Sequence, residues 1–186
     1  SAPSDAYIVW ALTEAGYAEK LEKEIDKSYR DAIETEDAYT MALMANVLFT
    51  LKDTRADTLV STLIEMQSKE GSWNGKFESV TYSQDKDLTV ETTALATLAL
   101  LKTAKWSKNL KKEIEQAVHF INSNKTYNGF GSTQATVLGL KVFTEYERLR
   151  PVFVEQGAYT LFINNEKILK LDFDINASEA PIINDG

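Results

Sequence analysis

Asn128-Gly129-Phe130-Gly131-Ser132-Thr133-Gln134-Ala135-Thr136, running on into Val137-Leu138-Gly139-Leu140-Lys141-Val142-Phe143, is the stretch from which the rest of the chain can be read. Two glycines one residue apart permit a tight turn with positive φ, a backbone state that residues with a Cβ adopt only at a cost. Ser132 is a good N-cap, because its hydroxyl can accept from a backbone N–H of the first turn. The residues after it are apolar on most sides, the pattern of a helix buried between other helices. Gly129, Gly131, Ser132 and Gln134 therefore read as a structural loop motif: a glycine turn, a capped start and a buried helix.

The same unit recurs upstream in weaker copies. Ser4 is expected to cap a first buried helix over 5–15, which Gly16 ends at the C′ position. Residues 18–33 place Leu21, Ile25, Tyr29, Ala32 and Ile33 at three-to-four spacing amid charges, an amphipathic outer helix. Thr35 opens a second buried helix over 37–49, which repeats the Asp-Ala-Tyr of the first. Thr54, with Asp57 at N3, starts an outer helix whose stripe is Ala56, Leu59, Val60, Leu63 and Met66. A polar loop over 68–88 leads to a third buried helix over 91–101. Ser107 caps an outer helix striped with Leu110, Ile114, Ala117, Val118 and Ile121. The loop over 122–131 opens the last buried helix, which runs to Arg148 and which Pro151 forbids from continuing. Beyond it the period falls to two over 158–163 and 167–174, with Asn164-Asn165 as a hairpin turn. The tail from Asn176 has no period and reads as loose.

Buried and amphipathic helices thus alternate, inner and outer, in hairpin units of roughly 30–55 residues. Such units stack linearly as a solenoid or close into a ring whose inner helices line the barrel. Small residues on the inner helices, Gly139 among them, permit close packing. Four inner helices are too few to close such a ring, so an N-terminal portion is expected upstream of Ser1; the lack of an initial Met and of a signal peptide reads the same way.

With 186 residues the chain is long enough for one domain with a real core, or one domain and a small appendage. A net charge of −8 argues against nucleic acid or an anionic membrane as partner, since phosphate binding needs clustered Lys and Arg. The chain has no Cys, which excludes a disulfide, a thiolate metal site and a Cys nucleophile, and is compatible with export. No run reaches the roughly 18–20 apolar residues of a membrane-spanning helix, so no membrane insertion is expected.

Tyr127-Asn128-Gly129-Phe130-Gly131-Ser132-Thr133-Gln134-Ala135-Thr136 followed by Thr144-Glu145-Tyr146 resembles the end of the thioester domain of the α2-macroglobulin and complement superfamily. Asp5-Ala6-Tyr7-Ile8-Val9-Trp10, Gln67-Ser68-Lys69-Glu70-Gly71-Ser72-Trp73 and the run over 90–101 add to the likeness, in the expected order, over residues 4–150. In style the repeats look more like a bacterial member. The resemblance implies a mainly α fold: an α/α toroid, here incomplete, over 1–150. Residues 151–186 would be a short β-hairpin and tail beginning a following β-rich domain. It also implies a parent that traps target proteases, an endopeptidase inhibitor working extracellularly or in the bacterial periplasm and packed against its own neighbouring β-rich domains. In that family a Cys-x-x-Gln motif forms an internal thioester, which acylates a nearby amine or hydroxyl once exposed. Without Cys this chain cannot form it. Either the motif lies upstream of Ser1 or the chain is a thioester-less paralogue, and the repeat count favours the first. The piece is therefore expected to be scaffold, not an enzyme, with no cofactor or metal.

Other residues carry weaker chemistry. His119, the sole histidine, falls on an outer helix and does not match the His that some complement members use. Ser132 lacks a His base, so capping is its reading. Asp5, Asp37, Glu91 and Gln134 occupy equivalent helix starts, where acidic groups are stabilised by the macrodipole. If the inner helices are parallel they ring one end, a candidate concavity for a protein partner. Asp85-Lys86-Asp87 is a weak metal motif and reads as a solvated loop. Gln67 and Trp73 resemble the Gln-Trp repeat of triterpene cyclases and are expected to tie the loop to a helix end. A cyclase would need an acidic motif such as Asp-x-Asp-Asp, and a prenyltransferase a zinc site with Cys; neither is present. Asn124-Lys125-Thr126 and Asn176-Ala177-Ser178 are glycosylation sequons on loops. A non-covalent protein-binding toroid is the alternative, and a cyclase-like or prenyltransferase-like fragment a more distant one.

Overall fold

A computed structural model describes residues 1–77, 85–104, 110–127, 129–153, 157–163 and 166–173. α1 (Ala2–Glu14) starts after Ser1 instead of Ser4, because Pro3 is tolerated in a first turn where its missing N–H would have no partner. It ends as the sequence predicts. The Tyr17 N–H reaches the Leu12 carbonyl (2.9 Å) and the Gly16 N–H the Thr13 carbonyl (3.0 Å), with Gly16 at φ +86°. A single 3-10 turn, Ala18–Lys20, precedes α2 (Glu22–Thr35), so α2 begins later than its stripe implies. Thr35 closes α2, its hydroxyl donating to the Asp31 carbonyl (2.8 Å), and does not open the next helix. That cap is Asp37, whose carboxylate accepts from the Thr40 N–H (3.0 Å) at the start of α3 (Ala38–Thr50).

α4 (Arg55–Met66) has Thr54 at its N-cap position, as the sequence predicts, but the side-chain bond to its first turn comes from the residue before. Asp53 accepts from the Arg55 N–H (2.9 Å), while Thr54 makes no capping bond. α5 (Asp85–Ala104) starts well before Glu91, which therefore sits in its second turn. α6 (Lys111–Ser123) comes next; the expected Ser107 cap lies outside the described residues. α7 (Thr133–Phe153) passes Arg148 and takes Pro151 into its last turn. There the missing N–H deletes a single bond and the fixed φ of proline is already helical. β1 (Gly157–Ile163) and β2 (Glu166–Phe173) pair antiparallel, Tyr159 opposite Leu171, with an irregularity between Leu161 and Phe162. Asn164-Asn165 and the Asn176 sequon lie outside the described residues.

The helices form two layers. α1, α3, α5 and α7 pack in succession as the inner row; α2 bridges α1 and α3, α4 bridges α3 and α5, and α6 bridges α5 and α7. The outer helices bury the stripes read from sequence: Ile25 and Ala32; Ala56, Leu59, Val60 and Leu63; Ile114, Ala117 and Ile121. α3 and α5 are buried over 38–48 and 90–101. At about 25 cal/mol per Å² of apolar surface, these two helices supply the largest hydrophobic contribution.

Buried threonines on α5 satisfy their hydroxyls within the helix, Thr92 on the Leu88 carbonyl (2.7 Å) and Thr97 on the Thr93 carbonyl (2.6 Å). Asn46, fully buried on α3, donates to its own Ala42 carbonyl (2.8 Å) and across to the Leu95 carbonyl of α5 (2.9 Å), a polar staple between inner helices. The expectation that the first and last inner helices are buried all round is not met, since α1 and α7 each keep one flank in solvent. The two strands form no substantial packing interface with the described helices. Among the described residues no helix is long and apolar enough to cross a membrane.

Candidate functional site

The glycine loop is held from three sides. Gly129 (φ +113°) and Gly131 (φ +105°) both adopt the left-handed region. A Cβ on Gly129 would lie 2.5 Å from Thr136 Oγ1, and one on Gly131 would run into the Asp87 carboxylate of α5. The Phe130 N–H donates to Thr136 Oγ1 (3.1 Å), and the buried Phe130 ring lies against Gly139 and 5.8 Å from the Phe143 ring. Ser132 is the N-cap the sequence predicts: its Oγ accepts from the Ala135 N–H (3.0 Å) and donates to Glu91 Oε1 (2.6 Å). One hydroxyl thus ties the start of α7 to α5, with both of its roles in use.

The four candidate partner-binding positions divide. Asp37 is fully buried and accepts from the Thr40 N–H, the Thr40 hydroxyl (2.6 Å) and the Lys76 N–H (2.7 Å). Glu91 is fully buried against Ser132. Asp5 is half-exposed and bridged to Lys27 (2.8 Å). The hydrogen bond from Lys27 holds the Asp5 carboxyl below its ordinary value, against a smaller cost of burial. Gln134 is partly exposed and makes no hydrogen bond to a described residue. Of the four, Asp5 and Gln134 keep polar atoms in reach of solvent, while Asp37 and Glu91 spend theirs on the fold. Asp85-Lys86-Asp87 lies in the first turn of α5, and among the described residues no group of three or more acidic, His or Cys side chains could hold a metal.

Gln67 and Trp73 do what the sequence predicts. Gln67 Nε2 donates to the Gly71 (3.2 Å) and Glu113 (2.9 Å) carbonyls, joining the loop to α6. Trp73, buried, donates from Nε1 to the Leu63 carbonyl (2.6 Å), and its backbone N–H reaches Thr93 Oγ1 (3.1 Å). Gly71, at φ +89°, lets this loop lie on the backbone of Gln116. His119 is exposed on α6, its Nε2 3.5 Å from Ser123 Oγ. Asn124 ends α6, its amide donating to the Phe120 carbonyl (2.8 Å).

At the opposite end the inner helices surround a cavity of about 260 Å³, lined by Trp10, Glu14, Asn46, Lys102, Lys141 and Leu149 among others. Lys141 of α7 bridges to Glu14 of α1 (2.8 Å) and lies 5.8 Å over the Trp10 ring, while Lys102 of α5 is 3.8 Å from Glu14. Burial opposes ionisation of Glu14, but the hydrogen bond from Lys141 and the field of Lys102 outweigh it, so its carboxyl titrates below the ordinary 4.5. Sequence reading missed this cluster. The signal available was weak: one Asn in an otherwise apolar helix, and charged residues near the ends of inner helices.

A layer of inner helices and a layer of outer ones, joined through a glycine-capped loop, define a helical-toroid scaffold with no catalytic constellation among the described residues. The family model described as "A-macroglobulin TED domain" matches residues 4–146, and the chain belongs to that family, the thioester-type α/α toroids of the α2-macroglobulin and complement superfamily. No curated protein matches the chain.

Proposed function

We propose that this chain is the scaffold portion of the thioester-type domain of an exported α2-macroglobulin-like protein that traps proteases, with the reactive Cys-x-x-Gln motif upstream. The observation that carries the reading is the family match over 4–146 in a chain with no Cys. In such a parent an amine of the captured protease attacks the thioester carbonyl. The C–N bond forms, the C–S bond breaks, and the proton lost by the amine ends on the departing thiol. A thioester survives only where water is kept away, so this portion contributes the packed walls that exclude it. Residues 151–186 lead into a neighbouring β-rich domain, a reading supported by a strand pair without a substantial packing interface on the described helices. Work outside the cytoplasm fits the family and the absence of Cys.

The test is the intact mass of the full parent with and without methylamine, before and after limited proteolysis. A methylamine adduct with one new thiol is expected; no adduct under any condition would overturn covalent trapping. The second reading, a non-covalent binding toroid, draws on Asp5 and Gln134, whose side chains stay accessible near the starts of α1 and α7. It is the reading left if no adduct forms.

A further inference from the structure

The cavity of about 260 Å³ among α1, α3, α5 and α7 has no part in the thioester reading. Its size falls just under the roughly 300–1,000 Å³ of pockets for drug-sized ligands, so it suits a smaller molecule. Three cations line it, Lys102, Lys141 and Arg148, against two carboxylates, Glu14 and Glu145. That is a local excess of one positive charge in a chain whose net charge is −8. Both carboxylates are already engaged, Glu14 by Lys141 (2.8 Å) and Glu145 by Arg148 (2.7 Å). An ammonium carries several N–H donors and a guanidinium more, so Lys141 and Arg148 have donors beyond those two bonds. Both lie on one face of α7, at successive three-to-four steps through Glu145.

Asn46 adds an acceptor. It is 1% exposed, and its amide nitrogen donates to the Ala42 and Leu95 carbonyls, which fixes the way the amide faces. Its side-chain oxygen has no partner among the described residues, and Asn46 lines the cavity. A donor from a molecule in the cavity would remove the cost of that unmet acceptor. Leu98, Leu101 and Leu149 make apolar wall. Cations at helix C-termini also answer the macrodipole, and Lys102 does so at the Asn46 carbonyl (3.3 Å). That role does not account for the space, because interiors hold few voids larger than a water. Nor does it use the Asn46 side-chain oxygen.

We infer that this cavity binds the carboxylate end of an apolar amino-acid residue. Lys141 and Arg148 hold the carboxylate, the Asn46 side-chain oxygen accepts from the residue's N–H, and the three leucines take its side chain. A single excess positive charge matches a monoanion. Phosphate carries more charge and no apolar part, and would leave the leucines unused. A free amino acid and the C-terminal residue of a peptide both offer this chemistry. Binding here is separate from thioester chemistry and holds whether or not the parent traps covalently.

The probe is N-acetyl-leucine, which has the carboxylate, the N–H and an apolar side chain. It is titrated into the isotope-labelled chain while NMR follows the Trp10 indole N–H signal, identified by its loss in Trp10→Phe. Trp10 lines the cavity, so its signal reports occupancy. A saturable shift with a Kd of about 1 mM or tighter is expected. N-acetyl-leucinamide, which lacks the charge, should bind about tenfold or more weakly. Lys141→Gln and Arg148→Gln should each weaken N-acetyl-leucine by about threefold or more, while Lys112→Gln on α6 leaves it unchanged. Should Lys141→Gln misfold, Arg148→Gln carries the test, because its side chain is 60% exposed. Leucine distinguishes the sources: tighter leucine assigns a free amino acid, and tighter N-acetyl-leucine a peptide C-terminus. No saturable shift up to about 20 mM of either probe overturns the inference. Equal affinity for the amide, equal affinity for inorganic phosphate, or binding indifferent to the folded variants overturns it equally.

Discussion

At Gly131 the backbone holds φ +105° and a Cβ would enter the space of the Asp87 carboxylate. Gly131→Val should therefore destabilise the chain by about 1–3 kcal/mol from backbone strain alone. Calorimetric melting checks this, and an unchanged midpoint would remove the turn from the loop's physics. Trp73→Phe keeps the ring but leaves the buried Leu63 carbonyl without its donor, a loss of about 1–3 kcal/mol; a denaturant midpoint indistinguishable from the parent sequence would contradict it. Glu14 yields a pH prediction. Its folded value lies below the ordinary 4.5, so the stabilisation it gives is complete above 4.5 and fades as pH falls through the lower folded value. Glu14→Gln should flatten the acid limb of a plot of melting temperature against pH, with little change in its shape near neutrality. An acid limb of unaltered slope would show that the bridges to Lys141 and Lys102 do not operate in solution.

The helices show how far a pattern in sequence reaches. Ser132 and Gly16 were legible because a cap acts on groups within a few residues, and the outer stripes because burial of an outer helix repeats with the helical period. The cap of α3, the side chain that braces the start of α4 and the start of α5 were not. Asp37 is preferred as a cap over Thr35 because its carboxylate also meets the Lys76 N–H from a distant loop, a contact local pattern does not contain. Asp53 serves α4 while its carboxylate and that of Asp26 also clamp the Arg55 guanidinium (2.7 Å each). Asp53→Ala is expected to cost about 1 kcal/mol as a lost side-chain bond to the helix start and to free Arg55 from one of its two acids; hydrogen exchange in the first turn of α4 should quicken, and protection equal to the unsubstituted chain would show that the Asp53 bond does not hold that turn. His119, exposed on α6, should tolerate Ala with a stability change within about 0.5 kcal/mol and no effect on conjugate formation by the parent. A lost conjugate would place reactive chemistry on an outer helix.

For the described residues, the inner row buries α3 and α5 from both sides and leaves the outer flanks of α1 and α7 bare, while the strand pair makes no substantial packing interface with the helices. A two-stranded ribbon is marginal by itself in water. The four acidic or amide positions at the helix starts were grouped by sequence analogy. Their burial separates them into two that cap or brace the fold and two that face outward.

From the sequence by itself came the alternation of inner and outer helices, the glycine turn with its Ser132 cap, the roles of Gln67 and Trp73, and the strand pair. Periodicity and capping are local properties, set by spacing along the chain. Only the tertiary structure decided that Asn46 staples α3 to α5, that Lys141 and Lys102 converge on Glu14, and that Asp37 and Glu91 are spent inside. It alone showed which apolar flanks are covered and which are bare, because hydrophobic period reports how apolar a face is, while what lies against it depends on residues far away in sequence.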